Sequence, residues 1–162
     1  MSSLIIIQGP TASGKSSLAL SIAQELNAPI ISADSRQFYK ELNIGTAKPS
    51  NKELHAVKHY FINTHSIHEL SLTSAGFMKA ARKEIKSLMS QGNEQIIISG
   101  GSGMFIDALI DGLHPSPSDP KIREELLNTW REHGIHPLLK ELKSADIETY
   151  GRIDINNPMR IL

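Results

Sequence analysis

Eight consecutive residues, Gly9-Pro-Thr-Ala-Ser-Gly-Lys-Ser16, carry the densest chemical signal in the chain. Two glycines separated by four residues and followed by lysine and a hydroxyl form a complete phosphate-binding loop pattern. Backbone N–H groups of such a loop, and of the helix that follows it, converge on phosphate oxygens. Lys15 adds a mobile positive charge and Ser16 a hydroxyl suited to magnesium. Gly9, Pro10, Thr11, Ala12, Ser13, Gly14, Lys15 and Ser16 are therefore the expected diphosphate- or nucleotide-binding residues; the alternative is an ordinary glycine turn before a helix.

Asp34 follows a second apolar run and has two functional readings: a magnesium ligand, or a proton acceptor beside the phosphate loop. A turn or cap carboxylate is the plain alternative. Gly100-Gly-Ser-Gly103 could present backbone amides and one hydroxyl to a second ligand group, although close helix–strand packing also demands glycine. Lys121, Arg123 and Arg131 suggest a basic face, but Glu124, Glu125 and Glu132 are interleaved and a solvated helix is expected. His55 and His59 stand four apart with no third ligand patterned beside them, so a metal site there is rejected.

The elements that would position these residues can be read from periodicity. Leu4-Ile-Ile-Ile7 is a short, uniformly apolar run that suits a central parallel strand buried on both faces. Leu18, Ala19, Ile22, Ala23 and Leu26 recur at helical spacing over 15–26 and place one stripe on the sheet. Residues 29–33 predict a second buried strand that ends at Asp34, and 60–62 a further short strand. The stretch 45–50, with glycine, proline, Thr46 and Lys48, predicts a surface loop. A helix is expected over 71–91 through Ala75, Met78, Ala81, Ile85, Leu88 and Met89, closed by Gly92. Gln95-Ile-Ile-Ile-Ser99 predicts a strand that runs into the second glycine turn and a helix beyond it. Alternating strands and helices imply an α/β fold with helices on both faces of a parallel sheet, and bring Asp34 to the carboxyl edge beside Lys15. Three prolines within 115–120 mark a boundary near Leu113, after which Asp119 caps a helix with Pro120 at its first position and an Ile122, Leu126, Leu127, Trp130 stripe.

Composition bounds the rest. The chain has 162 residues, 17 basic and 17 acidic side chains and no cysteine. That excludes disulfide scaffolds, thiolate metal sites and a cysteine nucleophile, and argues against a generally basic nucleic-acid coat. No apolar stretch near the start reaches the length of a signal-peptide core or membrane span, so a soluble, cytoplasmic protein without a membrane partner is expected.

Four segments, Gly9–Ser16, Ser32-Ala-Asp-Ser-Arg-Gln-Phe-Tyr39, Gly45-Thr-Ala-Lys-Pro49 and Gly100-Gly-Ser-Gly-Met-Phe105, together resemble the ordered motif set of the bacterial tRNA dimethylallyltransferase family. Asp119-Pro-Lys-Ile-Arg123 and Asn156-Asn-Pro-Met-Arg160 extend the likeness over essentially the whole chain. The resemblance implies a three-layer P-loop NTPase-like core over 1–113, a small helical insertion over 114–150 that is a candidate tRNA-binding element, and a return to the core beginning at 151–162. It implies a monomeric transferase that moves a dimethylallyl group from dimethylallyl diphosphate to N6 of the adenosine on the 3′ side of the anticodon, with Mg2+ as cofactor.

By the same resemblance Asp34 accepts the N6 proton. Thr11, Lys15 and Ser16 steady the departing diphosphate, and magnesium is shared between Ser16 and phosphate oxygens. Asp34, Ser35, Arg36 and Gln37 fall in the family's tRNA-contact stretch, with Ser102 and Arg123 as further candidates. Departures from the pattern are Ser102 for threonine, Met104-Phe105 for leucine-tyrosine, and Asn63 and Asn157 for aspartates. Family members continue well past Leu162, so truncation on the C-terminal side is expected, with loss of a further diphosphate-binding arginine and much tRNA surface. The rival readings are a small-molecule kinase using ATP, prenyl transfer to a free adenine nucleotide, and a nucleotide-binding module without catalysis.

Overall fold

The computed structural model describes residues 2–10, 12–69, 72–113 and 119–162. The chain divides into two compact units, Met1–Leu113 and His114–Leu162.

The first unit is built on a parallel sheet of four strands in the order β1-β4-β2-β3, with β1 Ser3–Gln8, β2 Ile30–Ser32, β3 His59–Tyr60 and β4 Gln95–Gly100. Between them run α1 Lys15–Leu26, α2 Asn51–Ala56, α3 Ser74–Ser90 and, after β4, α4 Gly103–Asp111. Successive side chains of a strand point to opposite faces. Ile31, Ile96 and Ile98 accordingly join Phe77, Ala81 and Ile106 on the face covered by α3 and α4. Ile30 and Ile97 join Ala19 and Ala23 of α1 on the other face. Helices thus cover both faces, the arrangement of a P-loop core. β4 sits at the centre, which is why its three isoleucines are fully buried.

β1 does not take the central place that its apolar run suggests. It pairs with β4 at the sheet edge, in the register Leu4↔Ile96 through Gln8↔Gly100. Ile5 and Ile7 pack toward α1, while Leu4 and Ile6 on the opposite face remain 40% and 38% exposed. A uniform apolar run states that a strand can be buried on both faces; its place in the strand order decides whether it is. Leu18 and Leu26 likewise lie outside the buried stripe of α1, which narrows to Ala19 and Ala23 where helix and sheet meet. The expected strand at 60–62 stops at Tyr60, because Phe61 adopts a left-handed φ of 62° that turns the chain out of the ladder. The helix expected from Ser71 begins at Ser74, capped by the Thr73 hydroxyl; Ser71 itself lies outside the described residues.

One helix of the first unit went unread in the sequence. Ser50 and Glu53 form a reciprocal capping box that starts α2, a pattern visible as serine followed three residues later by glutamate.

The second unit contains α5 Pro120–His133, α6 His136–Ala145, α7 Ile147–Arg152 and α8 Pro158–Ile161. The Asp119 side chain caps α5 with Pro120 at its start, as the sequence indicates. Leu126, Leu127 and Trp130 are half-buried, whereas Ile122 is exposed. Residues 151–162 group with this unit, and residues 114–118 fall outside the described ones.

Candidate active site

The carboxyl ends of β2 and β4 and the loop after β1 meet around a solvent-open cleft. Lys15 and Ser16 line it from the phosphate loop, Asp34 and Gln37 from the turn after β2, and Gly100 and Gly101 from the turn after β4.

The loop Gly9–Ser16 turns through left-handed conformations at Ala12 (φ 64°) and Gly14 (φ 84°). Gly14 is the N-cap of α1 and no side chain caps that helix start, so its first N–H groups are left for an anion. The Lys15 ammonium reaches back over the loop to the Pro10 carbonyl and lies 3.4 Å from Ser13 Oγ. Thr11 lies outside the described residues.

Asp34 is half-buried at the end of β2. Its Oδ1 accepts the Arg36 N–H at 3.0 Å, an Asx turn that fixes the carboxylate's direction. Gly101 stands on its other side: a Cβ there would lie 3.8 Å from Asp34 Oδ2, so the missing side chain keeps room beside the acid. Gly100 has a stricter duty. A Cβ at this position would fall 2.2 Å from the Ala33 carbonyl oxygen, so only glycine lets β4 and the end of β2 approach this closely. Ser102 Oγ then accepts the Ser35 N–H at 2.9 Å, and the Ser102 N–H donates to the Ala33 carbonyl at 3.2 Å. The second glycine turn therefore braces the acid-bearing turn.

Gln37 is likewise engaged within the protein. Its Nε2 donates to the Thr46 and Ala47 carbonyls at 3.1 and 3.0 Å, and its Oε1 accepts from Ser32 Oγ at 2.8 Å. Arg36 is exposed and makes no side-chain hydrogen bond among the described residues. The structure thus brings Lys15, Ser16, Asp34 and Gln37 to one cleft, with Ser35 and Ser102 joined behind the acid. Arg123 is an exposed residue of α5 in the second unit.

Below this turn lies a cluster that sequence reading missed. All four phenylalanines gather there: Phe38 stacks on Phe77 and Phe105 at centroid distances of 5.6 and 5.7 Å, and Phe61 meets Phe38 edge-on at 6.0 Å. Residues 38, 61, 77 and 105 sit too far apart in sequence for any periodicity to group them. Phe38 is fully buried and pins the turn that carries Asp34 four residues earlier.

The donor set bears on a metal. Among the described residues no group of three or more His, Asp or Glu side chains could hold an ion. The Ser16 hydroxyl and the Asp34 carboxylate line the cleft, together with Ser32, Ser99 and Glu53. That set fits magnesium, which keeps several waters and takes most remaining ligands from substrate phosphates.

Residues 37–162 match the family model described as IPP transferase. The tRNA dimethylallyltransferase of Flavobacterium johnsoniae is 41% identical over 162 residues, covering 99% of this chain and 52% of that protein. That of Cytophaga hutchinsonii is 38% identical over 159 residues, again covering 52% of the relative. The chain thus spans about half the length of the curated relatives it matches. The full-length tRNA isopentenylpyrophosphate transferase of Bacillus halodurans is similar in structure, with a TM-score of 0.66 and 31% identity over 99% of this chain and 53% of that one. A eukaryotic dimethylallyltransferase acting on tRNA shares the fold at a TM-score of 0.77 and 23% identity, covering 99% of this chain and 40% of that one. With its phosphate loop, its cleft and the family match over most of its length, this chain belongs to the IPP transferase family.

Proposed function

We propose that this chain forms the phosphate-binding part of an enzyme that transfers a dimethylallyl group from dimethylallyl diphosphate to N6 of the adenosine 3′-adjacent to the anticodon in tRNA. The observation that carries the reading is one cleft shared by an uncapped phosphate loop and Asp34, whose carboxylate an Asx turn orients. The names of the relatives supply the substrate classes, since a phosphate loop by itself accepts any diphosphate.

The chemistry follows from that arrangement. The adenine N6 attacks C1 of the allyl group, the bond from C1 to the diphosphate oxygen breaks, and the N6 proton passes to the Asp34 carboxylate. An exocyclic amine conjugated into a purine is a weak nucleophile, so holding it in line with the allylic carbon supplies much of the rate. Lys15, with Thr11 and the loop amides, stabilises charge gathering on the departing diphosphate. Magnesium, held by the Ser16 hydroxyl and phosphate oxygens, would add a further positive charge to that leaving group. The target base must leave its stack to reach the cleft. Asp34 meets its amine there and exposed Arg36 meets the tRNA. Ser35, Gln37 and Ser102 shape the turn, and Arg123 offers a phosphate contact from α5. The working form proposed is a cytoplasmic monomer; no described helix is long and apolar enough to cross a membrane.

Incubation with labelled dimethylallyl diphosphate and unmodified tRNA tests the reading. Label on the tRNA is expected, and Asp34→Asn should lower transfer about a hundredfold or more while pyrophosphate affinity stays within about twofold. ATP consumption without label transfer would point to a small-molecule kinase instead. Transfer by the Asp34 variant at the wild-type rate would remove the proton-acceptor role.

A further inference from the structure

We propose that Lys48 is a positioning residue for this reaction: its ammonium clamps the far end of the acid-bearing turn to the loop that walls the cleft, and it does not grip the diphosphate. The activity readout of this inference rests on the prenyl-transfer reading.

A lysine lining a phosphate cleft invites the opposite assignment, as a second phosphate ligand. The geometry argues against it. Lys48 Nζ donates to the Tyr39 carbonyl at 2.6 Å, to Asn63 Oδ1 at 2.7 Å and to Asn43 Oδ1 at 3.1 Å. An ammonium has three N–H donors, and these three acceptors use them all. Each acceptor comes from a different segment: the end of the 34–39 turn, the 40–49 loop, and the stretch after β3, where Phe61 and Asn63 both hold left-handed φ.

The start of the acid-bearing turn is tied to β4 through the Ala33 N–H to the Ser99 carbonyl at 2.8 Å, and to the turn after β4 through the Ser35 N–H to Ser102 Oγ. Its end carries the Lys48 clamp. Gln37 bonds the Thr46 and Ala47 carbonyls, immediately before Lys48, so the clamp also sets the acceptors that hold Gln37. Loosening Lys48 would therefore be felt at Asp34 without any loss of a ligand contact.

Three neutral acceptors hold a charge in a partly desolvated place. Burial pushes the Lys48 ammonium below the usual lysine range, and Glu41 pulls it partly back. Glu53 of α2, His59 of β3, Asp34 and Lys15 are the other charged or titratable groups lining the same cleft. As pH rises through the lowered value the amine loses a proton and the clamp weakens, which adds an alkaline limb to turnover. An aspartate in place of Asn63 would favour the ammonium and move that limb upward.

The test uses Lys48→Met, which keeps the stem and removes the donors, and Asn63→Asp. For Lys48→Met, kcat with tRNA should fall about tenfold or more, pyrophosphate affinity should stay within about twofold, and amide exchange over 34–49 should quicken. Asn63→Asp should retain turnover and shift the alkaline limb to higher pH. Unchanged kcat and exchange in Lys48→Met, or pyrophosphate affinity lost in parallel with turnover, would overturn the assignment. If the wild-type chain transfers no label, the prenyl-transfer reading fails by itself. The exchange measurement then still decides the clamp: quickening supports it and no change overturns it.

Discussion

Two glycine turns leave neighbouring parallel strands at the same sheet edge, with Gln8 of β1 paired to Gly100 of β4 just before them, and each opens a helix. Their glycines serve opposite ends. In the first turn, a Cβ on Gly14 would meet nothing within 4 Å; the residue is needed for its left-handed φ and leaves the start of α1 open. In the second, Gly100 is needed because backbone occupies the space a side chain would take. One turn leaves a helix start open, as the proposed diphosphate site requires; the other lets two strands touch. A glycine-rich pattern between strand and helix names neither use until its surroundings are known.

Substitutions can break or sharpen this contrast. The largest effect on stability is expected at Gly100→Ala, where the new methyl would collide with the Ala33 backbone; a loss of about 3 kcal/mol should appear as a lower urea midpoint. A loss under about 1 kcal/mol would mean that the strands yield and that the close approach is not a constraint. Gly14→Ala meets no clash but forces a left-handed alanine, so about 1–2 kcal/mol is expected together with weakened pyrophosphate binding. Lys15→Ala should have the smallest effect on folding, within about 0.5 kcal/mol for a half-buried lysine outside both apolar clusters, yet remove most of the rise in melting temperature that pyrophosphate gives the wild type. If Lys15→Ala and Gly100→Ala lost stability and binding in the same proportion, the division between a receiving turn and a packing turn would be wrong.

The phosphate loop was legible because its function is written locally. In the proposed role Gly9, Gly14, Lys15 and Ser16 act through backbone conformation and two side chains within eight residues, and spacing is enough to recognise the pattern. Asp34 was legible for a related reason: in a parallel sheet the carboxyl ends of strands gather at one edge, so a carboxylate just past a buried strand falls beside the loop. Gln37, Ser102 and Lys48 were a different matter. Gln37 was expected to meet tRNA, and the bonds of its amide to Ser32, Thr46 and Ala47 were not foreseen from spacing. Lys48 was read as part of a surface loop and of the Gly45–Pro49 motif with no role of its own, and its three acceptors lie up to 15 residues away.

The same division runs through the two isoleucine runs. Residues 5–7 and 96–98 are indistinguishable in composition, and each forms the strand its β-branched side chains favour. One lies at the edge with a face open, the other at the centre with both faces covered. Local sequence determined the phosphate loop, the strands and helices, and the presence of an acid at the sheet edge, because these depend on near neighbours along the chain. Tertiary structure alone decided the strand order, the gathering of the four phenylalanines and the hydrogen-bonded wall around Lys48. Those depend on which distant segments meet, and no spacing along the chain records that.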